Sequence, residues 1–523
     1  MKYDFFEIIY KRIPRHIKVC FTSGMIVGLI THFYMLTHKF TNWDDINSLA
    51  EFGSGDYLGR WFLKYIHPLG SKYSIPAVHG FLMILFLALA SCLIISIIQV
   101  NSTTCAILIP AVMATFPSVV STMTFMFMAH TSGAAIFMTC LAVYLLRKYK
   151  WGYIPCTVLL ICVMGVYQSY IAFAITLMLM GLISDVFHGK EFKNLLLQGI
   201  LYVAVLIIGV LIYMEITHMV NPNLENETYG GVANMGKIDI KEMPTLIGRC
   251  YKRFLEFFIW KPFAFVSKVA QISNIFVCGL AFILFGVLVK IKNVYKNVLV
   301  FLILVMACGF MPLAAAFIYF MAPEVEYSML MLYPYALIYV TVLALLEYII
   351  KECAMADINS GIKKISIYIM MTVTLGTIII NCYSNYLLTN RAYMRTEFAT
   401  ERAKAYFNRI ISYVEQEEGF CKGDKISILG EFYYKDNPSE IENGILDSED
   451  LRELSGVALE NGLITSGVRE NFIYAFLGYE SAPITWDEKE RIMGSKEYAD
   501  MKIYPEEGCV KKINGIWVVK MCN

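Results

Sequence analysis

The chain has 523 residues, of which 57% are apolar and 17% are charged, and its formal net charge at pH 7 is +1. Soluble globular chains average about 45–50% apolar and about 25% charged residues, so this composition argues against a soluble protein and indicates a polytopic membrane protein. The near-zero net charge gives no sign of a nucleic-acid-binding surface, and the sequence contains no glycine-rich nucleotide-binding motif.

Eleven apolar runs of about 20 residues are long enough to cross a bilayer of about 30 Å as helices. The two runs that meet at YQSY (167–170) have a second interpretation, because together they also suit a re-entrant hairpin or two short helices. The predicted spans are residues 16–37, 76–100, 104–124, 130–146, 152–168, 170–187, 195–219, 265–290, 297–320, 328–350 and 365–388.

Lysine and arginine in the short connections predict the orientation of these spans. The basic N-terminus precedes an apolar run without a small-residue cleavage site, so we expect an uncleaved first span. When eleven spans are counted, the basic connections fall on the same side as the N-terminus, and the positive-inside rule makes that side cytoplasmic. These connections are residues 147–150, 188–194, 290–296 and 360–364.

Loops 38–75 and 220–264 are then extracytoplasmic, and the first of them begins with two adjacent carboxylates in NWDD (42–45). A partly desolvated carboxylate can take the proton of a sugar hydroxyl as it attacks, so Asp44 and Asp45 are candidate general bases. A carboxylate pair also suits a divalent cation, Mg²⁺ or Mn²⁺, that neutralises a phosphate leaving group. The alternative is that Asn42 or Asp44 only caps a following helix.

The same loop continues with a basic segment, GRWFLKYIH (59–67). Arg60, Lys64 and His67 recur at helical spacing, which predicts one positive helix face at the membrane surface. Such a face would bind a lipid phosphate, for which guanidinium is the natural partner. The alternative is that Arg60 and Lys64 only contact anionic headgroups while Asp56 pairs with Arg60.

Two further segments carry polar candidates. Gln168 and Ser169 lie between apolar runs, where polar groups are costly unless they have partners, so they mark a site or a helix–helix hydrogen bond. The second outer loop ends in LIGRCYKRFLEFFIW (246–260), which predicts an amphipathic helix in the headgroup plane. Its Arg249 and Arg253 are candidates for binding a lipid phosphate, with simple membrane anchoring as the alternative.

The composition changes at about residue 389, which predicts a transmembrane domain at 1–388 and an extracytoplasmic domain at 389–523. At about 135 residues the tail can bury its own core. Its sequence predicts a helix, then a strand at KISILGEF, then a hairpin around Asn514-Gly515. The predicted fold class is therefore a polytopic α-helical membrane protein with a small α/β or α+β C-terminal domain.

Three cysteines lie in this tail, where oxidation is permitted if the tail is extracytoplasmic. In the predicted hairpin register Cys509 faces position 520, so Cys522 is its diagonal neighbour. One disulfide is possible with Cys421 as the third thiol, and the sequence does not choose among the pairings.

Taken together, these features resemble the bacterial Gtr type-II glucosyltransferases, which modify O-antigen and related surface polysaccharides within the GT-C superfamily of polytopic glycosyltransferases. The resemblance rests on NWDD after the first span, GRW at 59–61, YQSY in the middle spans and a C-terminal domain that ends in VKKINGIWVVK. It covers nearly the whole chain and implies a GT-C-like fold of about eleven transmembrane helices.

The resemblance implies an enzyme that moves a hexose, glucose, from a polyprenyl-phosphate carrier to a surface glycan outside the bacterial cytoplasmic membrane. By position, Asp44 or Asp45 is then the general base, Arg60 serves the donor phosphate, and Gln168 and Tyr170 contact the substrate. The implied partners are the lipid-linked donor, the glycan acceptor and the bilayer, with a flippase and a carrier-charging glycosyltransferase upstream.

Two other functions share this composition, namely a flippase for lipid-linked glycans and a polysaccharide polymerase. Transporters tend to carry internal repeats and ionisable residues near mid-span. Here the charges gather at the outer ends of the spans and no repeat is evident, which favours the glycosyltransferase over the flippase. A polymerase is harder to separate, because it belongs to the same class of enzyme.

Overall fold

In the computed structural model the chain is a helical bundle followed by a small α+β domain. The structure describes residues 10–49, 58–222, 239–260, 267–323, 328–355, 361–430, 451, 454, 456–457, 460–464, 467–479 and 485–522.

The helices of the bundle are, in chain order, α1 (Arg15–Thr37), α2 (Trp43–Asn47), α3 (Leu63–Ile66), α4 (Pro76–Ile97), α5 (Thr103–Thr115), α6 (Pro117–Thr124), α7 (Met126–Lys148), α8 (Tyr153–Met164), α9 (Tyr170–Phe187), α10 (Phe192–Val220), α11 (Met243–Leu255), α12 (Lys268–Ile291), α13 (Val298–Ala315), α14 (Ile318–Met321) and α15 (Ala336–Met355). A long helix, α16 (Gly361–Glu415), leads into the tail, whose elements are β1 (Ile426–Leu429), α17 (Glu460–Ile464), α18 (Arg469–Phe472), α19 (Trp486–Met493), α20 (Lys496–Ala499), β2 (Val510–Ile513) and β3 (Ile516–Lys520).

Within the described residues, nine helices are long and apolar enough to cross a membrane, which confirms the prediction of a polytopic helical membrane protein. Two of the eleven predicted spans take another form. The span predicted at 104–124 is broken into α5 and α6, which meet at 45°. Pro117 explains the break, because the residue before a proline is pushed out of the helical region, and Phe116 has an extended ψ of 136°.

The span predicted at 152–168 is the second exception. It forms α8, which has only 12 residues and is therefore about 18 Å long, shorter than the apolar layer of a bilayer. After a turn at 165–169 the chain returns as α9, which has 18 residues. Of the two spans predicted in this apolar stretch, 170–187 is therefore a helix long enough to cross a membrane, and 152–168 is not.

One end of the bundle, here called the linker end, is held together by buried ion pairs. Arg147 at the end of α7 pairs with Asp185 near the end of α9 at 2.7 Å, and Lys190 reaches the same carboxylate at 3.0 Å. Glu347 near the end of α15 accepts hydrogen bonds from the Asn101 and Ser102 backbone at the start of α5. The basic connections that these helices flank therefore gather at one end.

Close helix contacts in the bundle depend on small residues, as is common in membrane proteins. A Cβ on Gly28 of α1 would lie 2.6 Å from Ile84 of α4. A Cβ on Gly133 of α7 would lie 2.8 Å from the sulfur of Met83, on the same helix α4. Helix α4 is thereby packed directly between α1 and α7, and these three helices carry the candidate site at the other end of the bundle, here called the site end.

Helix α16 joins the bundle to the tail without a break. Its 55 residues correspond to about 80 Å, so it crosses the bundle and continues into the C-terminal domain. The boundary predicted at 388/389 lies inside this helix. The C-terminal half of α16 packs against the tail's other elements, with Phe407 and Phe472 at its buried centre.

The tail contains a three-stranded sheet in the order β1-β3-β2. Strand β1 is parallel to β3, and β2 is antiparallel to it with Val510 opposite Val519. Asn514 and Gly515 join β2 to β3 with φ values of 52° and 82°, the left-handed conformations of a tight hairpin turn, so the predicted hairpin is confirmed.

The structure also shows where the three tail cysteines lie and whether they form a disulfide. The Lys520 amide donates to the Cys509 carbonyl oxygen, so Cys509 does face position 520. Cys421, Cys509 and Cys522 are all free thiols, with Cys421 exposed and Cys509 buried.

Candidate functional site

The candidate site lies where α2 follows the first membrane helix. Asn42 is the N-cap of α2, since its side-chain oxygen accepts a hydrogen bond from the Asp45 amide at 2.8 Å. The capping interpretation of this segment is therefore correct for Asn42. It leaves both carboxylates of the helix available for other contacts.

The Asp45 carboxylate is buried and fully occupied by structural contacts. One oxygen accepts hydrogen bonds from Lys39 at 2.7 Å and from the Thr41 hydroxyl at 2.8 Å. The other accepts from the Ser74 hydroxyl and from the Phe127 amide at 3.0 Å. Asp45 thus ties the beginning of loop 38–75 to its end and to the start of α7, which is a structural role.

Asp44, one residue earlier, is exposed. Surrounding protein nevertheless displaces water from its carboxylate, and this desolvation raises the pKa of Asp44 above its usual value. The positive charge of Arg60 opposes this and lowers the pKa, which shows that the two side chains are within electrostatic range. The structure therefore places Asp44 and Arg60 near each other, and their shared role in one site stays a prediction.

Arg60 is positioned by a tight turn against the segment between α8 and α9. Gly59 has a φ of +74°, and a Cβ there would lie 2.8 Å from the Tyr213 hydroxyl oxygen. The Tyr213 hydroxyl donates to the Gly59 carbonyl oxygen at 3.1 Å, and the Phe62 amide donates to the Gly165 carbonyl oxygen at 2.7 Å. Only glycine fits the first of these positions without strain.

The guanidinium of Arg60 lies over the ring of Tyr167, 4.8 Å from the ring centre. Its buried Nε atom has no hydrogen-bond partner in the described part of the chain. Buried donors normally have partners, so an unpaired one at a cationic side chain is suited to an anionic ligand. Tyr170 is also within electrostatic range of Arg60.

Gln168 and Tyr170 both lie beside this turn, with different contacts. The Gln168 amide nitrogen donates to the Leu58 carbonyl oxygen at 2.7 Å and to the Tyr213 hydroxyl at 2.9 Å. Gln168 therefore supports the backbone that carries Arg60. Tyr170 is buried behind Tyr167, with their rings edge to face at 5.6 Å.

The predicted helix face shared by Arg60, Lys64 and His67 is not formed, and this prediction is wrong. Helix α3 begins only at Leu63, because the chain needs the Gly59 turn before it. Lys64 is exposed beside Tyr65, and His67 is half-buried against His130, 5.4 Å between ring centres. Asp56, the alternative partner of Arg60, lies outside the described residues.

The amphipathic helix predicted in the second outer loop is present as α11. Arg249 donates to the Pro323 carbonyl oxygen at 2.7 Å, and Arg253 pairs with Glu256 at 3.2 Å. Arg253 is also within electrostatic range of Tyr319, which is in turn within range of Tyr167, the residue beneath Arg60. Arg253 thus lies on the same side of the bundle as Arg60, whereas Arg249 anchors the helix.

A cation held jointly by Asp44 and Asp45 does not fit this arrangement. Asp45 would have to give up hydrogen bonds that hold the loop together. Within the described residues, no group of three or more histidine, cysteine, aspartate or glutamate side chains is placed to hold a metal ion.

Several residues of the site were not identified from the sequence, because their sequence context is typical of structural residues. Tyr213 lies seven residues before the end of α10, inside an apolar run, and Tyr167 reads as an interfacial aromatic. Lys39 and Ser74, which hold Asp45, are 35 residues apart, and their approach follows from the folded loop. The one available hint for Tyr213 was that it lies four residues before Thr217, so the two polar side chains share a face of α10.

The arrangement offers two chemical capabilities in one place. Asp44 is an accessible carboxylate whose raised pKa makes it a stronger base than an ordinary aspartate. Arg60 is a cation whose buried Nε atom has no hydrogen-bond partner within the described ranges, and it is suited to a phosphate. A base for an attacking hydroxyl beside a binding group for a phosphate leaving group is what a phosphate-linked sugar donor requires.

Comparison with known proteins agrees with this chemistry. No curated protein and no solved structure matches the chain. A family model described as Glucosyl transferase GtrII matches residues 33–346, more than half of the chain, and this region contains Asp44, Arg60, Gln168 and α11. The chain therefore belongs to the GtrII glucosyl transferase family and is a glucosyltransferase with a membrane-spanning helical bundle.

Proposed function

We propose that this glucosyltransferase takes glucose from a polyprenyl-phosphate carrier and transfers it to a cell-surface glycan such as an O-antigen, on the outer side of the bacterial cytoplasmic membrane. Asp44 acts as the general base and Arg60 binds the donor phosphate. The observation that carries the proposal is that the exposed Asp44 carboxylate, whose pKa is raised, lies within electrostatic range of Arg60, whose buried Nε atom has no hydrogen-bond partner among the described residues.

In the proposed reaction a hydroxyl oxygen of the acceptor attacks C1 of glucose, and the bond from C1 to the carrier phosphate oxygen breaks. The hydroxyl proton passes to the Asp44 carboxylate. The phosphate leaves on its lipid with both electrons of the broken bond, and Arg60 stabilises the negative charge that develops there. Asp45 keeps its hydrogen bonds to Lys39, Ser74 and Phe127 and holds α2 in place.

The position of the site supports a lipid donor. Arg60 and Tyr167 are at the site end of the bundle, between the ends of membrane helices, and the amphipathic helix α11 lies on the same side. A carrier lipid in the bilayer could present its phosphate at this level. The linker end, with its basic connections, would face the cytoplasm by the positive-inside rule.

Partners follow from the donor. A donor made in the cytoplasm must be charged by a separate glycosyltransferase and moved across the membrane by a flippase before it reaches an outer site. The acceptor is a glycan that approaches from the aqueous side, and the bilayer supplies the carrier.

The experiment that tests this proposal supplies purified protein in liposomes with either polyprenyl-phosphate-linked glucose or UDP-glucose, together with the surface glycan. Transfer from the lipid donor alone is the expected result. Transfer from UDP-glucose in the absence of carrier lipid would contradict the proposal. The matched control is protein with Asp44→Asn, which should transfer from neither donor.

A further inference from the structure

We infer that the C-terminal domain holds the Asp44 helix, α2, in its working position, so that the tail is part of the catalytic apparatus. This inference rests on the proposed function of Asp44. It assigns positioning roles to Asn42, Gly456 and Asn471, which contact α2 or its cap and do not touch the reacting atoms.

The helix that carries Asp44 is packed against the tail along most of its length. Ile46 is buried in the tail's own apolar core, together with Phe407 and Phe472. The Asn471 side chain of the tail donates to the Asn47 side chain at 2.8 Å. A Cβ on Gly462 of the tail would lie 3.1 Å from the ring of Trp43. Residues on both sides of Asp44 therefore belong to the interface with the tail.

The N-cap of α2 is tied to the tail as well. The Asn42 amide nitrogen donates to the Gly456 carbonyl oxygen at 3.4 Å, while its oxygen caps the helix through the Asp45 amide. The segment just before the cap also reaches the tail's long helix, since the Thr41 amide donates to the Thr400 hydroxyl. One side chain, Asn42, thus links the start of the catalytic helix to the C-terminal domain.

Gly456 is a point of close approach between the tail and the bundle. Its φ is +80°, and an added Cβ would lie 2.1 Å from the Thr124 hydroxyl oxygen and 2.4 Å from the Phe125 ring. Such a Cβ cannot be accommodated without moving the tail or the turn between α6 and α7. Phe125 also packs edge to face on Trp43, so this shift would reach α2 directly.

Helix α2 is thereby held from two directions. Asp45 fastens it to the bundle through Ser74 and Phe127, and the tail fastens its other side through Asn42, Ile46 and Asn47. Asp44 remains exposed between these contacts. A short helix of five residues is not stable alone, so its position depends on both. A shift of about 1 Å in a catalytic group can cost about 10²-fold in rate.

The test compares Gly456→Ala with Gly467→Ala in the full-length protein. Gly467 lies in the same domain, and an added Cβ there meets nothing within 4 Å. We expect Gly456→Ala to lower kcat for transfer at least tenfold while KM for the lipid donor changes less than twofold, because Arg60 is held by a different turn. Gly467→Ala should behave as wild type.

The pH profile separates positioning from general damage. If α2 shifts, water reaches Asp44, its pKa falls towards the ordinary value, and the acid limb of the kcat profile moves to lower pH. A merely unstable protein would lose rate equally at every pH. Asn471→Ala is the second variant in case Gly456→Ala does not fold; it should shift the acid limb in the same direction.

The outcomes distinguish the inference from the proposed function. Gly456→Ala and Asn471→Ala with wild-type kcat and pH profile would overturn the inference while leaving Asp44 as the base. Full activity in Asp44→Asn would instead remove the proposed function on which the inference rests. The predicted result is that Gly456→Ala has a lower kcat and an acid limb shifted to lower pH, whereas Gly467→Ala has the kcat and pH profile of the wild type.

Discussion

Two adjacent aspartates in this protein have opposite environments, and the difference assigns their roles. Asp45 is buried with four hydrogen-bond donors around its carboxylate, whereas Asp44 is exposed and its pKa is raised. A saturated carboxylate has no lone pair left for a substrate proton. Asp44 is consequently the base in this account, and Asp45 supports the loop.

Stability measurements should separate the two residues. Asp45→Asn replaces an acceptor with a donor in a buried network and removes the negative charge that pairs with Lys39, so we expect a loss of about 1–3 kcal/mol and a lower Tm. Asp44→Asn should not destabilise at pH 7, because the raised pKa means that folding disfavours the charged form of Asp44 at that pH. Thermal unfolding in detergent measures both, and equal losses in the two variants would contradict the assignment.

The pH dependence of transfer should report the Asp44–Arg60 pair. A general base must be deprotonated, so activity falls as the pH drops through the Asp44 pKa, which lies above the ordinary aspartate value. Arg60 holds that pKa down, and removing its charge with Arg60→Gln should therefore move the acid limb of kcat to higher pH. Lys72→Gln, an exposed change in the same loop, is the control and should leave the limb in place. A limb that does not move in Arg60→Gln would show that the two side chains do not interact.

At the scale of individual residues, the sequence was sufficient to predict the candidates and insufficient to rank them. NWDD indicated a general base, and GRW indicated a residue that binds phosphate. In the structure, Asp44 and Arg60 are within electrostatic range of each other. The buried partners of Asp45 come from distant parts of loop 38–75 and from α7, so neighbouring residues carried no sign of them. Lys64 was predicted from helical spacing, which the turn at Gly59 interrupts.

At the scale of elements, the turn at residues 58–62 sets the position of Arg60. It is braced by Gln168, in the turn between α8 and α9, and by Tyr213 on α10. Gln168 supports this turn through its hydrogen bonds to Leu58 and Tyr213. Substrate contact by Gln168 and Tyr170 stays a prediction.

Gly59→Ala tests this turn. The substitution puts a Cβ at a positive φ and against the Tyr213 hydroxyl and the Gln168 amide, so we expect Arg60 to be displaced, KM for the lipid donor to rise at least fivefold and kcat to fall. Gly209→Ala, on the helix that carries Tyr213 but with open space around it, should have no effect. Steady-state kinetics with the lipid donor measures both, and wild-type kinetics for Gly59→Ala would argue against a role for the turn.

At the scale of the whole molecule, hydrophobic length predicted most of the bundle. Nine of the eleven predicted spans are single helices, since about 20 consecutive apolar residues have few other stable arrangements. Apolar length alone did not locate the break, which follows from the local restriction before Pro117, or the end of α8 after 12 residues. The composition change near residue 389 marked the tail but not the continuity of α16, whose helical periodicity runs through both environments.

Cysteine labelling tests the proposed orientation. Cys421 is an exposed free thiol in the tail, and a membrane-impermeant maleimide should modify it in intact spheroplasts. A cysteine introduced at the exposed Trp151, in a variant with Cys421→Ser, should react only after the membrane is permeabilised. Labelling of Trp151→Cys in intact spheroplasts, with Cys421 protected, would reverse the orientation and place the site on the cytoplasmic side.

The central claim is that Asp44 takes the acceptor proton in a site completed by Arg60, and one rate comparison tests it most directly. Purified wild-type, Asp44→Asn and Asp45→Asn proteins are compared for glucose transfer from polyprenyl-phosphate-linked glucose under saturating donor. The account predicts that Asp44→Asn is folded and at least about 10²-fold slower, the usual cost of losing a general base, with its donor affinity retained. A folded Asp44→Asn enzyme that transfers glucose at the wild-type rate would contradict it.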